Sequence, residues 1–150
     1  MKKILFLLVA FFSISCFAQN DITVIDENTI DENVEMPFAV IEDIPVFPGC
    51  EDVEKKERMN CFNAKMSEHV TSHFTYPSKA LKKNIEGKVY VQFVIDKEGN
   101  VVDVQTRGAD PILQTEARRI FSLLPKFKPG FQKGKPVNVR YAMPLNFRLR

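Results

Sequence analysis

His69 and His73 stand four positions apart, the spacing that puts two imidazoles on one face of a helix, where such a pair can hold a metal ion. The glutamate of an HExxH motif is missing, and Glu68 lies on the other side of His69. Cys50 and Cys61 flank the charged residues 51–60, a gap unlike the CxxC of redox and zinc sites. In an oxidising compartment these two cysteines are expected to form a disulfide, which leaves the histidines without a third or fourth ligand. Closing a loop of this size contributes about 3 kcal/mol in the chain-entropy account. The histidines are therefore read as boundary residues packing against the domain. There is no Ser/His/Asp set and no glycine-rich phosphate loop between a strand and a helix. Neither an enzyme, nor a cofactor, nor a metal site is expected.

The chain has 150 residues, of which 45% are apolar and 27% charged, enough for one domain with a core and a tail. Lys and Arg number 21 against 19 Asp and Glu, a net of +2, so no global field points to nucleic acid. The small total hides an uneven layout. Residues 19–57 carry twelve acidic side chains against two lysines, a net of −10, and residues 76–150 carry fifteen basic against six acidic, a net of +9. Lys2 and Lys3 precede an apolar run over residues 4–12 and a small-residue exit at Cys16-Phe17-Ala18. That is the pattern of a secretory signal, with cleavage expected after Ala18. The apolar stretch of residues 4–18 would make about 22 Å of helix, short of the roughly 30 Å of a bilayer core. A lipid anchor at Cys16 and an uncleaved inner-membrane anchor are the alternatives. Residues 19–43 show no sustained period and read as a flexible acidic spacer. Such a spacer has the option of folding back on the basic half, and a solvated tail is the reading taken.

The elements follow from periodicity. Phe62, Met66, Val70 and Phe74 recur every four residues and predict a helix. Pro77 suits the first position of a second, short helix, with Gly87 as its stop. Val89, Val91, Phe93 and Ile95 alternate with wetter residues as a strand, and Asp96-Lys97-Glu98-Gly99 turns the chain into a return strand over residues 100–107. Asp110-Pro111 opens a third helix with Leu113, Ala117, Ile120 and Leu124 as its buried stripe, ended by Pro125. Residues 126–136 read as a basic loop. From Val137 to Leu149 odd positions are apolar and even positions mostly polar, a long strand in which Pro144 marks an edge and a kink. The expected fold is α+β: a three-stranded antiparallel sheet, ordered second–first–third, with helices on one face and the last strand's outer edge free. Such an edge can accept a partner's extended peptide by strand addition. Arg140, Arg148 and Arg150, with Lys133 and Lys135 nearby, would favour an acidic peptide. The plainer reading is that these charges and Pro144 only deter edge-to-edge aggregation.

Several short motifs keep a common order and spacing: Tyr76-Pro77, Ala80, Ile85-Glu86-Gly87-Lys88-Val89, Asp96-Lys97-Glu98-Gly99, Glu116-Ala117, Pro125-Lys126-Phe127-Lys128-Pro129-Gly130 and Pro144-Leu145-Asn146-Phe147. Together they resemble the TonB C-terminal domain family over residues 76–149. Phe127 stands where that family usually has Trp. Phe47-Pro48-Gly49-Cys50 with Cys61 resembles the versions common in Bacteroidota. The resemblance implies a periplasmic domain that grips the TonB-box peptide of a TonB-dependent outer-membrane transporter. The gripping strand maps onto Val137, Asn138, Val139, Arg140, Tyr141, Ala142, Met143, Leu145, Asn146 and Phe147. Full transducers of the family also carry a membrane-spanning helix that meets inner-membrane energy-transducing proteins, and a Pro-rich spacer. Here the spacer holds only Pro37 and the apolar run reads as cleavable, so peptide binding is expected without force. The domain plan is a signal peptide over 1–18, a spacer over 19–43, a disulfide-closed loop and helix extension over 44–75, and a TonB C-terminal-like domain over 76–150. A self-associating homodimer and an anchored transducer are the alternative functions.

Overall fold

The computed structural model describes residues 35–149; the leader, Cys16, the spacer up to residue 34 and Arg150 lie outside them. Alternation decides the middle of the sheet. β2 (Gly87–Ile95) buries Val89, Val91, Phe93 and Ile95 completely. At its end the Asp96 carboxylate accepts the N–H groups of Glu98 at 3.0 Å and Asn100 at 2.7 Å. Gly99 has φ 87°, and a Cβ there would lie 1.9 Å from the Phe127 carbonyl oxygen, so only glycine fits the turn. β3 (Val101–Gly108) returns antiparallel to β2, and α3 (Pro111–Ser122) follows with the Asp110 side chain capping Ile112 N–H at 2.8 Å. β5 (Lys135–Phe147) then lies antiparallel to β2 on its other side, from Gly87 opposite Phe147 to Ile95 opposite Val139. Val137, Val139, Leu145 and Phe147 are buried while Arg140, Ala142, Pro144 and Asn146 are exposed, as the alternation requires.

The order β5-β2-β3 is the expected second–first–third arrangement, but the sheet is five-stranded and mixed rather than three-stranded and antiparallel. Two three-residue strands account for the difference. β1 (Glu35–Pro37) runs parallel to β5, with Glu35 opposite Asn138, Met36 opposite Val139 and Pro37 opposite Arg140. β4 (Gly130–Gln132) makes a hairpin with β5 around Lys133 and Gly134, both at positive φ, within what the sequence reading takes as a plain basic loop. The spacer reading fails from residue 35 onward. Phe38 and Ile41 are buried, and Asp43 and Val46 bridge to Phe131 and Lys128. Burying two apolar side chains and pairing backbone outweighs the solvation of a few acidic groups.

α1 (Arg58–His73) and α3 share one face of the sheet: Phe62 of α1 stacks near Tyr141 at 5.2 Å, and Phe121 of α3 near Phe93 at 5.6 Å. Four finer expectations change. Pro77 is the N-cap of α2 (Ser78–Lys82) rather than its first residue, and Asn84 at φ 50°, not Gly87, follows its last turn. Leu124 lies beyond α3, whose buried face instead gains Glu116 and Phe121. The register of β5 on β2 runs unbroken through Pro144, so no kink is registered there. The irregularity sits between β2 and β3, at the register shift between Gln92 and Val94.

Candidate peptide-binding edge

The direction of each backbone group on β5 follows from one bond. Phe38 N–H donates to the Arg140 carbonyl at 3.1 Å, so Arg140 presents its polar backbone atoms away from β2. A strand alternates, so the even residues of β5 present outward and the odd residues inward. Both prolines, Pro136 and Pro144, fall on the outward set, where a missing N–H costs no ladder bond. The same alternation puts β4 on the β2 side of β5, because Lys135 and Val137 are inward residues opposite Gln132 and Gly130.

Of the residues read as the edge, Val137, Val139, Tyr141, Met143, Leu145 and Phe147 therefore spend their backbone groups on β2 or β4. The expectation of one long free edge is corrected in a second way, since β1 already lies along Asn138 and Arg140. β1 is fastened by its side chains as well. Glu35 accepts from Arg140 Nε at 2.6 Å and pairs with the same guanidinium through Nη2. Phe38 packs at 4.7 Å from both Phe62 and Tyr141. Phe38 is the sole aromatic residue between positions 19 and 46, and that isolation is the one signal by which the sequence marks it as an anchor, a signal that periodicity passes over. Asn138 holds Lys97 N–H at 3.2 Å through its side chain.

What stays open runs from residue 141 to residue 147. Ala142 and Asn146 each offer an outward N–H and C=O, and Pro144 offers a C=O only. On the face away from the helices this stretch borders a shallow groove of about 220 Å³, lined by Tyr90, Gln92, Gln105, Arg107, Ala142 and Pro144 among others. Lys88 and Arg107 flank the half-exposed Tyr90 ring at 5.9 and 5.8 Å. On the helix face Tyr141 lies against Phe93 and donates to Asn63 at 3.3 Å, and burial pushes its phenol above the usual range. β5 carries no acidic side chain, so the surroundings favour an anionic partner.

The other edge of the sheet is unlike this one. On β3, Asp103 sits at φ 51° where β3 carries an extra residue against β2, and its carboxylate takes both bonds from the Gln105 amide at 2.9 Å. A bulge of this kind twists an edge away from further pairing.

Residues 72–149, just over half of the chain, match the profile of the family described as Gram-negative bacterial TonB protein C-terminal. The chain belongs to this family. TonB C-terminal domains are periplasmic and generally engage outer-membrane transporters. Among solved structures, the TonB C-terminal domain of Helicobacter pylori, residues 179–285, is 24% identical over 67% of this chain and 87% of its own length, with a TM-score of 0.48. That of Pseudomonas aeruginosa is 28% identical over 51% of this chain and 78% of its own, with a TM-score of 0.41. No curated protein matches the chain. The TonB C-terminal span contains α2, α3 and β2 to β5, whereas β1 and the disulfide loop precede it.

The cysteines and histidines singled out in the sequence make contacts within the fold. Cys50 and Cys61 form a disulfide, their Cα atoms 6.0 Å apart. His69 bonds the Ile120 carbonyl through Nε2 at 3.0 Å, and His73 bonds the His69 carbonyl through Nδ1 at 2.8 Å. Among the described residues no helix is long and apolar enough to cross a membrane.

Proposed function

We propose that this TonB C-terminal domain is a non-catalytic periplasmic module that receives the TonB-box peptide of an outer-membrane transporter as an added strand on β5. The peptide pairs with Ala142, Pro144 and Asn146, along residues 141–147. The contrast between the two sheet edges carries this reading: β3 is bent by the Asp103 bulge and self-bonded, while β5 keeps a regular register of nine pairs with β2 and open outward groups. Alternate peptide side chains would lie beside the small Ala142 and Pro144 on one face and beside Tyr141 and Met143 on the other. Lys88, Arg107 and Arg148 supply positive charge around that strip. Cleavage after Ala18 would release the domain as a binder that transmits no force.

Titration of the isotope-labelled chain with synthetic peptides copied from the periplasmic N-termini of its host's transporters tests the assignment. The amides of Ala142 and Asn146 are expected to shift and gain exchange protection. Shifts confined to β3, or none at saturating peptide, would overturn it. Sedimentation without peptide separates this from self-association, in which the same amides would be protected in a dimer. Mass measurement of the exported N-terminus reads the cleavage.

A further inference from the structure

We propose that β1 is a resident strand on the peptide-binding edge, which an incoming transporter peptide displaces to reach Asn138 and Arg140. This rests on the strand-addition reading above. Between Pro136 and Pro144 the outward residues of β5 are Asn138, Arg140 and Ala142, the longest stretch of the edge with a donor and an acceptor at every outward position. β1 covers two of those three. The open stretch beyond it has only the donors of Ala142 and Asn146, separated by the donor-less Pro144. A peptide held along the open stretch alone therefore forgoes half of the donors the edge can supply.

β1 is built to leave without disturbing its downstream neighbours. It is three residues long and contributes no buried side chain. Its ion pair is half-exposed on the Arg140 side, the kind that holds weakly in water. The next residue, Phe38, is buried between Phe62 and Tyr141, and the chain is pinned again at Asp43 and Val46. Release can thus stop at the buried Phe38 ring, with the bond from Phe38 N–H to the Arg140 carbonyl as the last one to break. β1 also precedes the residues that match the family profile, so the device belongs to this chain's own N-terminal extension. Glu35 is chemically a mimic of the guest: an acidic residue at the end of an extended segment, paired with the arginine that would otherwise meet an anionic peptide.

Met36 supplies the test. The Phe38–Arg140 bond fixes the alternation of β1 too, so Met36 N–H points at β5, and Met36→Pro removes that donor while leaving every residue of the edge intact. In the full exported chain, Met36→Pro is expected to abolish exchange protection at the Asn138 and Arg140 amides. It should raise affinity for the transporter peptide about tenfold, the gain when a site filled nine-tenths of the time by its own strand is vacated. Unchanged affinity, with shifts limited to Ala142 and Asn146 in both proteins, would overturn the proposal, because host strand and guest would not compete. If no transporter peptide binds either protein, strand addition itself has failed and a second arm decides β1's role. A synthetic peptide of residues 33–40 added to the Met36→Pro chain should restore protection at Asn138 and Arg140. Failure to do so would show that β1 has no affinity for the edge beyond its tether.

Discussion

Glu116 keeps its charge in a nearly closed site because three donors converge on its carboxylate. Arg119 gives Nε at 2.8 Å and Nη2 at 2.7 Å, and Thr75 gives its backbone N–H at 3.0 Å. The Arg119 hydrogen bonds, acting against burial, hold Glu116 below the usual carboxylate range. Arg119 also donates to the His73 carbonyl at 2.6 Å, so one side chain ties the end of α1 to α3. His69, in the same seam, is held below its ordinary value by burial, with His73 pushing the same way against the Ile120 bond. Both groups have folded pKa values below their unfolded ones, so each adds stability at neutral pH that disappears on acidification. The melting midpoint should fall first as pH drops below about 6.5, where unfolded His69 takes up a proton, and again below about 4.5, where unfolded Glu116 does. His69→Gln, able to donate to Ile120, should flatten the first step alone. An unaltered slope between pH 7 and 5.5 would assign that step elsewhere. Glu116→Gln should cost about 2 kcal/mol at pH 7, read by denaturant titration, since it strands a charged donor pair.

At the scale of elements, the proposed edge makes a prediction that separates binding from stability. Ala142→Pro removes an outward donor and leaves the β2–β5 ladder whole, so peptide affinity should fall about tenfold with little change in melting. Val139→Pro should instead lower the midpoint sharply, because the Val139 N–H faces β2 and its side chain is fully buried. Equal binding losses with equal unfolding would mean that the edge was not the site. The difference between the two positions was legible in the sequence, though not through the alternation of side chains: the clue is that Pro136 and Pro144 share a parity, which tells which N–H groups the sheet can spare. Helices α1 and α3, β2 and β5 were legible because each repeats a period over many residues, and the Asp96 turn because Asp and Gly stand at its two ends. β1 and β4 were not, since three residues carry no period, and their pairing is set by Phe38 and by the Lys133-Gly134 turn. The buried Glu116 escaped for a different reason. Arg119 stands only three residues away, but the third donor, Thr75, lies on a separate segment, and that long-range contact has no sign in the local sequence.

For the whole molecule, the acidic N-terminal half and the basic C-terminal half meet at several points: Glu35 on Arg140, Glu42 accepting Lys133 N–H at 2.8 Å, and Asp43 bridging to Phe131. Residues 35–50 thus dress the TonB C-terminal span, and the disulfide fixes their far end to α1. Around it Phe47 lies 4.9 Å from Phe127 and 6.1 Å from Phe62, while Phe62, next to Cys61, is also the platform for Phe38. Losing the cross-link therefore loosens the dressing before it touches the sheet, because residues 141–147 are held by β2 and not by that segment. Cys50→Ser should lower the melting midpoint by about 10 °C, from roughly 3 kcal/mol of lost loop constraint in a domain of this size. Peptide affinity should stay level or rise, since a looser Phe38 weakens β1's hold on Asn138 and Arg140. A parallel loss of affinity would instead mean that the disulfide positions the binding edge, and that β1 supports the guest strand rather than competing with it.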